Sequence, residues 1–333
     1  MRIEDVVILV GGLGTRLGHL TKKTPKPLIK INKIPFLDQL ICKLIKYNYK
    51  NIYLLCSYKK NIFFNRYNNK FFHNTKITCI DEGKLKGTGG ALFKIKNKIK
   101  NNFLLINGDT FFDLDFNFFN KIRFDKENIF MCITHKKKAV NNYKLNNLFI
   151  KLQKIKFSKK KTNFINGGVY LVRNKILNNI KNRYCSFEND ILLKEIKKNK
   201  VNGKFFKDEF IDIGSYEKLI FLKKNPNILQ NKCFFLDRDG VINKEVGYIS
   251  NFKDFIFQKD VHKAIKYLNE KRFIVIIITN QAAIGKGIIN EAKLNSIHFK
   301  MIKSLYEKKA KIDDIYFAPY YKYSKKNKYR KNK

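Results

Sequence analysis

The stretch that most restricts this chain is Val7–Leu28, which reads VILVGGLGTRLGHLTKKTPKPL. Ile3 to Val10 is apolar and β-branched, the pattern of a strand buried on both faces of a parallel sheet. It empties into Gly11-Gly12-Leu13-Gly14-Thr15-Arg16-Leu17-Gly18. Glycines let backbone N–H groups turn inward and come close to a phosphate, so such a loop makes an anion nest. Arg16 adds a forked cation, and Pro25-Lys26-Pro27 holds one lysine between two residues of fixed φ.

Two familiar nucleotide loops do not fit. A dinucleotide fingerprint needs G-x-G-x-x-G opening a helix, with an acid about 20 residues on. Here Leu17 replaces the third glycine, and Lys-Thr-Pro-Lys-Pro follows instead of a helix and a second strand. A P-loop needs Gly-Lys-Ser/Thr, which this chain lacks. The string GGLGTRL…PKPL instead resembles the sugar-phosphate nucleotidyltransferases, which join a nucleoside triphosphate and a sugar 1-phosphate. That resemblance implies an α/β fold: a mixed, mainly parallel Rossmann-like domain over residues 1–225. It gives Gly11, Gly12, Gly14 and Thr15 to the nucleotide, Arg16 to the departing pyrophosphate and Lys26 to the phosphates being joined.

Later motifs keep the same register. A helix is expected over Pro35–Tyr49 and a strand over Asn51–Cys56. Lys76–Ile80 reads as a strand leading to Gly87-Thr88-Gly89-Gly90-Ala91. A plain helix start would not need three glycines, each of which costs stability there. The resemblance places Gly87, Thr88 and Gly89 on the base and ribose, with a helix continuing over Ala91–Lys100. Phe103–Ile106 is a central strand ended by Asn107-Gly108-Asp109-Thr110, and open α/β sheets bind ligands at such strand ends. Ile129–Thr134 and Leu148–Phe157 read as antiparallel strands before Asn166-Gly167-Gly168. The resemblance makes Asp109 and Asp212 ligands of Mg²⁺, and Asn166, Gly167 and Glu188 contacts to the sugar. An acid at the start of a helix also complements its dipole, so Glu188 carries both readings. A helix over Tyr216–Lys224 closes this half.

Beyond Asn225-Pro226-Asn227 a second apolar strand ends in Asp237-Arg238-Asp239-Gly240-Val241-Ile242-Asn243. This resembles the haloacid-dehalogenase phosphatases, in the form of the heptose-bisphosphate and histidinol-phosphate phosphatases. Strand Phe273–Ile278 then delivers Thr279-Asn280-Gln281, the second motif. The resemblance implies a HAD-like α/β domain over 232–333. Asp237 is its nucleophile, Asp239 its general acid and base, and both are metal ligands. Thr279, Asn280 and Lys331 bind phosphate. The family's later Gly-Asp metal motif has no counterpart, and Lys322–Lys328 holds no cysteine or histidine for the subgroup's zinc loop. The expectation is an incomplete domain: three parallel strands, the Asp237 strand at the edge, no zinc and no phosphatase activity.

A chain of 333 residues suffices for two such domains. Its net charge of +43 suggests a polyanion partner, but the lysines are spread along the whole chain, so no specific nucleic-acid binding is expected. Cys42, Cys56, Cys79, Cys132, Cys185 and Cys233 form no C-x-x-C pair, and most sit in apolar runs, as reduced core thiols of a cytoplasmic protein would. No apolar run reaches membrane-spanning length, and no signal peptide precedes the first strand.

The expected partners are therefore a nucleoside triphosphate and a sugar 1-phosphate, with Mg²⁺, no membrane and an open oligomeric state. Asn107–Phe112 with Pro35–Asp38 looks most like the D-glycero-D-manno-heptose 1-phosphate guanylyltransferases. Mannose or glucose 1-phosphate is the alternative substrate. Two other readings compete: a bifunctional phosphatase and transferase, and an inactive basic binding protein.

Overall fold

Apolar side chains alternate across β1 (Asp5–Leu9), so Val6 and Ile8 enter one core cluster and Val7 enters another. The same split runs through β2 (Asn51–Cys56), where Ile52 and Leu54 face the first cluster and Tyr53 and Leu55 the second. Strands buried on both faces need cover on both, and the apolar faces of the helices supply it. The computed structural model describes residues 2–72, 74–135, 148–158, 160, 162–230 and 232–329.

The chain divides into two compact units, Met1–Gln230 and Asn231–Lys333. The further strands of the first unit's main sheet are β3 (Lys70–Phe72), β4 (Thr75–Asp81), β5 (Phe103–Asn107), β6 (Ile129–His135), β7 (Leu148–Lys151), β8 (Lys154–Phe157), β9 (Phe164–Val172) and β10 (Val201–Phe205). Among the described residues these ten strands form one sheet in the order β7-β8-β10-β6-β9-β5-β1-β2-β4-β3. β5, β1, β2 and β4 are parallel neighbours, and β9 and the outer hairpins run antiparallel. The sheet is therefore mixed and Rossmann-like, parallel at its centre, with β1 in the middle.

Several expected elements differ in detail. Leu148–Phe157 is not one strand but the hairpin β7–β8, because Leu152 and Gln153 both take positive φ (48° and 63°). A two-residue loop of that handedness matches the twist of its flanking strands. The helix expected to Lys100 is a single turn over Gly87–Gly90 followed by a 3₁₀ helix over Ala91–Ile95. Its three-residue period puts Leu92 and Ile95 on one buried face. The helix after Pro35 spans Phe36–Ile45 and stops before Asn48, whose φ is 55°. A short helix over His19–Lys23 stands where none was expected. Cys56, Cys79 and Cys132 are buried, but Cys42 is exposed and Cys185 and Cys233 are half-buried, so the cysteines are less uniformly core residues than their neighbours suggest.

In the second unit, β11 (Cys233–Leu236), β12 (Ile274–Asn280) and β13 (Asp314–Ala318) form a parallel sheet in that order. β11 is an edge, and Phe235 on it is 62% exposed. The core of this unit gathers Val275 and Ile277 of β12 with Ile265, Ile297 and Met301 from the helices Val261–Glu270 and Glu291–Glu307.

Candidate active site

The first unit holds a cavity of about 480 Å³ at the C-terminal end of β1. The glycine loop forms one wall, and close approach requires glycine at two of its positions, Gly14 and Gly11. A Cβ on Gly14 would stand 2.8 Å from the Thr21 methyl, at a φ of +68° that side chains avoid. A Cβ on Gly11 would stand 2.5 Å from Glu82 Oε1. Gly11, Gly12, Gly14, Thr15 and Arg16 all line the cavity.

Two carboxylates share the cavity with the loop, each bonded to a lysine. Lys26 is buried on a 3₁₀ turn (Lys26–Leu28) between its prolines, and its ammonium donates to Asp109. Lys218, buried in the first turn of helix Tyr216–Lys224, donates to Asp212. Ser215 caps that helix and fixes its direction. The two acids come together through a short antiparallel pairing of Thr110–Phe112 with Phe210–Asp212, in which Asp212 lies opposite Thr110. The Ile213 N–H also donates to the Asp109 carbonyl at 2.9 Å.

Burial pushes the Asp109 carboxyl up, but Lys26 and Arg16 outweigh it, and its pKa lies below the usual carboxylate value. Burial lowers the Lys218 ammonium, and Asp212 and Asp109 offset this only in part. Both carboxylates offer hard oxygen donors to one cavity. Among the described residues no group of three or more histidine, cysteine, aspartate or glutamate side chains gathers. That donor set fits Mg²⁺, which takes one or two carboxylates and completes its shell with phosphate oxygens and water.

The cavity is also lined by Glu82, Gly87, Thr88, Asn166, Gly168, Tyr184 and Glu188. Glu82 is 4% exposed, and burial together with the charge of Asp81 raises its pKa to about 7. Thr88 Oγ1 donates to Glu188 Oε2 at 2.8 Å and accepts from the Phe187 N–H at 2.8 Å. Asn166 is bonded within the protein: its amide donates to the Tyr170 hydroxyl, and its oxygen accepts from the Gly168 N–H at 2.9 Å.

Two residues that the family resemblance assigns to ligands, Gly89 and Gly167, are not on the cavity wall. Gly89 packs against the chain, its N–H donating to the Cys185 carbonyl at 2.8 Å. Gly167 sits in a bulge of β9 where a Cβ would stand 2.5 Å from the Phe112 ring; its neighbour Gly168, at φ +66°, reaches the wall instead.

Glu82, Asn107 and Lys218 line the cavity and were not singled out from the sequence. Asn107 Oδ1 is buried with no hydrogen-bond donor among the described residues. Glu82 had one legible signal, a carboxyl immediately beyond a strand at the binding edge of the sheet. Lys218 looked like any surface lysine of a basic helix.

In the second unit, β11 and β12 pair with Leu236 opposite Ile277, so the two motifs leave the sheet at the same edge. Asp237 Oδ1 accepts from the Arg238 N–H at 2.6 Å. Asp239 is half-buried and heavily bonded: Arg238, 1% exposed, donates from Nε at 3.1 Å and from Nη2 at 2.8 and 2.9 Å. Asn243 Nδ2 and Gln281 Nε2 add bonds of 3.0 and 2.8 Å. Thr279 is buried and accepts from Gln281 at 2.9 Å, whereas Asn280 is exposed. Lys331 lies outside the described residues.

Comparison with known proteins adds to this geometry. The sequence profile of the nucleotidyl transferases matches residues 5–229. The D-glycero-alpha-D-manno-heptose 1-phosphate guanylyltransferase of Campylobacter jejuni is 35% identical over 215 residues, which cover 63% of this chain and 94% of that protein. The bifunctional protein GlmU of Methanococcus aeolicus is 34% identical over 252 residues, 73% of this chain, and the match spans 58% of its length. The crystal structure of HddC from Yersinia pseudotuberculosis complexed with GMP-PN superposes with a TM-score of 0.56 at 29% identity, covering 67% of this chain and 99% of that one.

Proposed function

The chain belongs to the nucleotidyl transferase family, and from that premise we propose that it transfers GMP from GTP to D-glycero-D-manno-heptose 1-phosphate. Pyrophosphate is released, and the product serves nucleotide-sugar synthesis for surface polysaccharide. The observation that carries the reading is the convergence of the glycine loop, Arg16, Lys26, Asp109 and Asp212 on one cavity.

A phosphate oxygen of the sugar 1-phosphate attacks the α-phosphorus in line, one P–O bond forms, and the bond to pyrophosphate breaks. Such a transfer asks the protein mainly for positioning and for charge stabilisation. The loop N–H groups hold the triphosphate, Arg16 takes the leaving pyrophosphate, and Lys26 stands at the phosphates being joined. Asp109 and Asp212 would hold Mg²⁺, whose charge offsets that of the phosphates.

Glu82 supports guanine. A carboxylate accepts two parallel hydrogen bonds, which suits the N1–H and N2–H₂ donors on one edge of guanine. Adenine presents an acceptor at N1, and a pyrimidine offers no matching donor pair. Glu188 and Gly168 line the same cavity and are assigned to the sugar. The relatives from Campylobacter jejuni and Aneurinibacillus thermoaerophilus are both heptose 1-phosphate guanylyltransferases, which favours heptose over mannose or glucose.

The second unit is read as phosphatase-like in motif and without phosphatase activity, because the donors on Asp239 occupy both of its oxygens. Free cysteines and nucleotide substrates suit the cytoplasm, and among the described residues no helix is long and apolar enough to cross a membrane.

The test is pyrophosphate release with Mg²⁺ across GTP, ATP, UTP, CTP and dTTP, each against heptose, mannose, glucose and N-acetylglucosamine 1-phosphates. Fastest turnover with GTP and the heptose is expected. Preference for another nucleotide overturns the guanine assignment, and no turnover with any pair favours a binding protein.

A further inference from the structure

The short turn Gly87–Gly90 and the segment Tyr184–Glu188 lie far apart in sequence, Thr88 and Glu188 by 100 positions, yet are tied together by main-chain bonds. The Gly89 and Gly90 N–H groups donate to the Cys185 carbonyl at 2.8 and 3.0 Å, and the Cys185 N–H donates to the Lys86 carbonyl at 2.8 Å. One side chain joins this ladder. Thr88 Oγ1 accepts the Phe187 N–H and lies 2.8 Å from Glu188 Oε2. An amide N–H can only donate, so it takes a lone pair of the hydroxyl and leaves the O–H hydrogen for the carboxylate. The direction of the Thr88–Glu188 bond is thus set by the backbone.

Glu188 needs such help. It sits on an irregular turn, Phe187–Leu192, whose hydrogen bonds span five residues, a geometry that recurs at functional sites. A glutamate has three side-chain torsions to fix, and the other protein donor near Glu188 Oε2 is Ser186 Oγ, at a weak 3.5 Å. With Oε2 tied, Glu188 lines the cavity in a fixed direction.

We propose that Thr88 is a positioning residue for the sugar: its hydroxyl, aimed by the Phe187 N–H, holds Glu188 in the rotamer that receives the sugar hydroxyls. This deepens the function proposed above and rests on its placement of Glu188 at the sugar. It moves Thr88 from the nucleotide, where the sequence resemblance put it, to the second substrate.

The test is steady-state kinetics with GTP and D-glycero-D-manno-heptose 1-phosphate, or the pair that the panel selects, on Thr88→Val, Thr88→Ser, Glu188→Ala and the Thr88→Val/Glu188→Ala double variant. Thr88→Val should raise KM for the sugar phosphate about tenfold, the effect of one lost bond to a charged group. KM for the nucleotide should change less than twofold, and Thr88→Ser should restore the wild-type value. The double variant should be no worse than Glu188→Ala, because Thr88 acts only through Glu188. Additive losses, an equal rise in both KM values, or failure of Thr88→Ser to rescue would overturn the proposal. A large effect of Glu188→Ala with none of Thr88→Val overturns the role of Thr88 alone. No effect of Glu188→Ala overturns the sugar assignment and this proposal together. If Thr88→Val melts below the assay temperature, Thr88→Ala is read in the same way.

Discussion

The ammonium of Lys26 is bonded to the carboxylate of Asp109, although 83 residues separate them. The lysine is fixed by Pro25 and Pro27, and the aspartate by the end of β5. In the proposed reaction Lys26 is thereby already aimed at the phosphates being joined. Lys26→Met should therefore lower kcat about 100-fold or more, the usual cost of one preorganised charge contact. Lys22→Met and Lys23→Met, at exposed positions, should change it less than twofold. Pyrophosphate release measures all three. Equal losses would mean that a diffuse basic field does the work.

Asp109→Asn and Asp212→Asn should each remove turnover while the far-ultraviolet circular dichroism stays that of the wild type. Each change leaves a buried ammonium facing a neutral amide, so a lower melting temperature is expected as well. Turnover at the wild-type rate in Mg²⁺ by either variant would remove the two-carboxylate site.

If Glu82 holds guanine as proposed, the reaction should depend on pH. Its pKa of about 7 leaves the carboxyl largely protonated at pH 6 and ionised at pH 8. Only the ionised form accepts both guanine donors, so KM for GTP should rise about tenfold from pH 8 to pH 6. Glu82→Gln should flatten that profile and blunt the preference for GTP.

The same shift has a stability consequence of definite sign. An acid whose folded pKa is raised binds more protons folded than unfolded. Its contribution is full below the ordinary glutamate value and is lost as pH rises through about 7. Glu82→Gln should therefore stabilise the first unit at pH 8 by up to about 3 kcal/mol, read as a shift in urea midpoint, and leave it unchanged at pH 4.

No phosphate should be released from heptose 1,7-bisphosphate with excess Mg²⁺. A general acid must pick up and give away a proton, and a proton on Asp239 would have to displace Arg238, Asn243 or Gln281. Phosphate release that disappears in Asp237→Asn would show the second unit to be a working phosphatase.

Much of the site was legible because its chemistry is local. Gly11–Gly18 and Pro25–Pro27 declare a phosphate loop in a single run of sequence, and Asp109 follows an unmistakable apolar strand. What stayed hidden depends on tertiary contact. Glu82 becomes unusual only when β4 carries it into a dry corner against Gly11. Lys218 becomes a counter-charge only when Phe210–Asp212 pairs with Thr110–Phe112. Gly89 and Gly167 were motif residues for a packing reason, and pattern alone does not separate a glycine that admits a ligand from one that admits Cys185 or Phe112.

The place of β10 also governs how the protein is made. Val201–Phe205 lies between β8 and β6, both of which leave the ribosome earlier. Until that strand emerges, Ile129–His135 lacks one neighbour and the β7–β8 hairpin has nowhere to dock. A nascent chain halted before residue 201 thus carries an open, apolar strand edge, a surface that invites pairing with other chains.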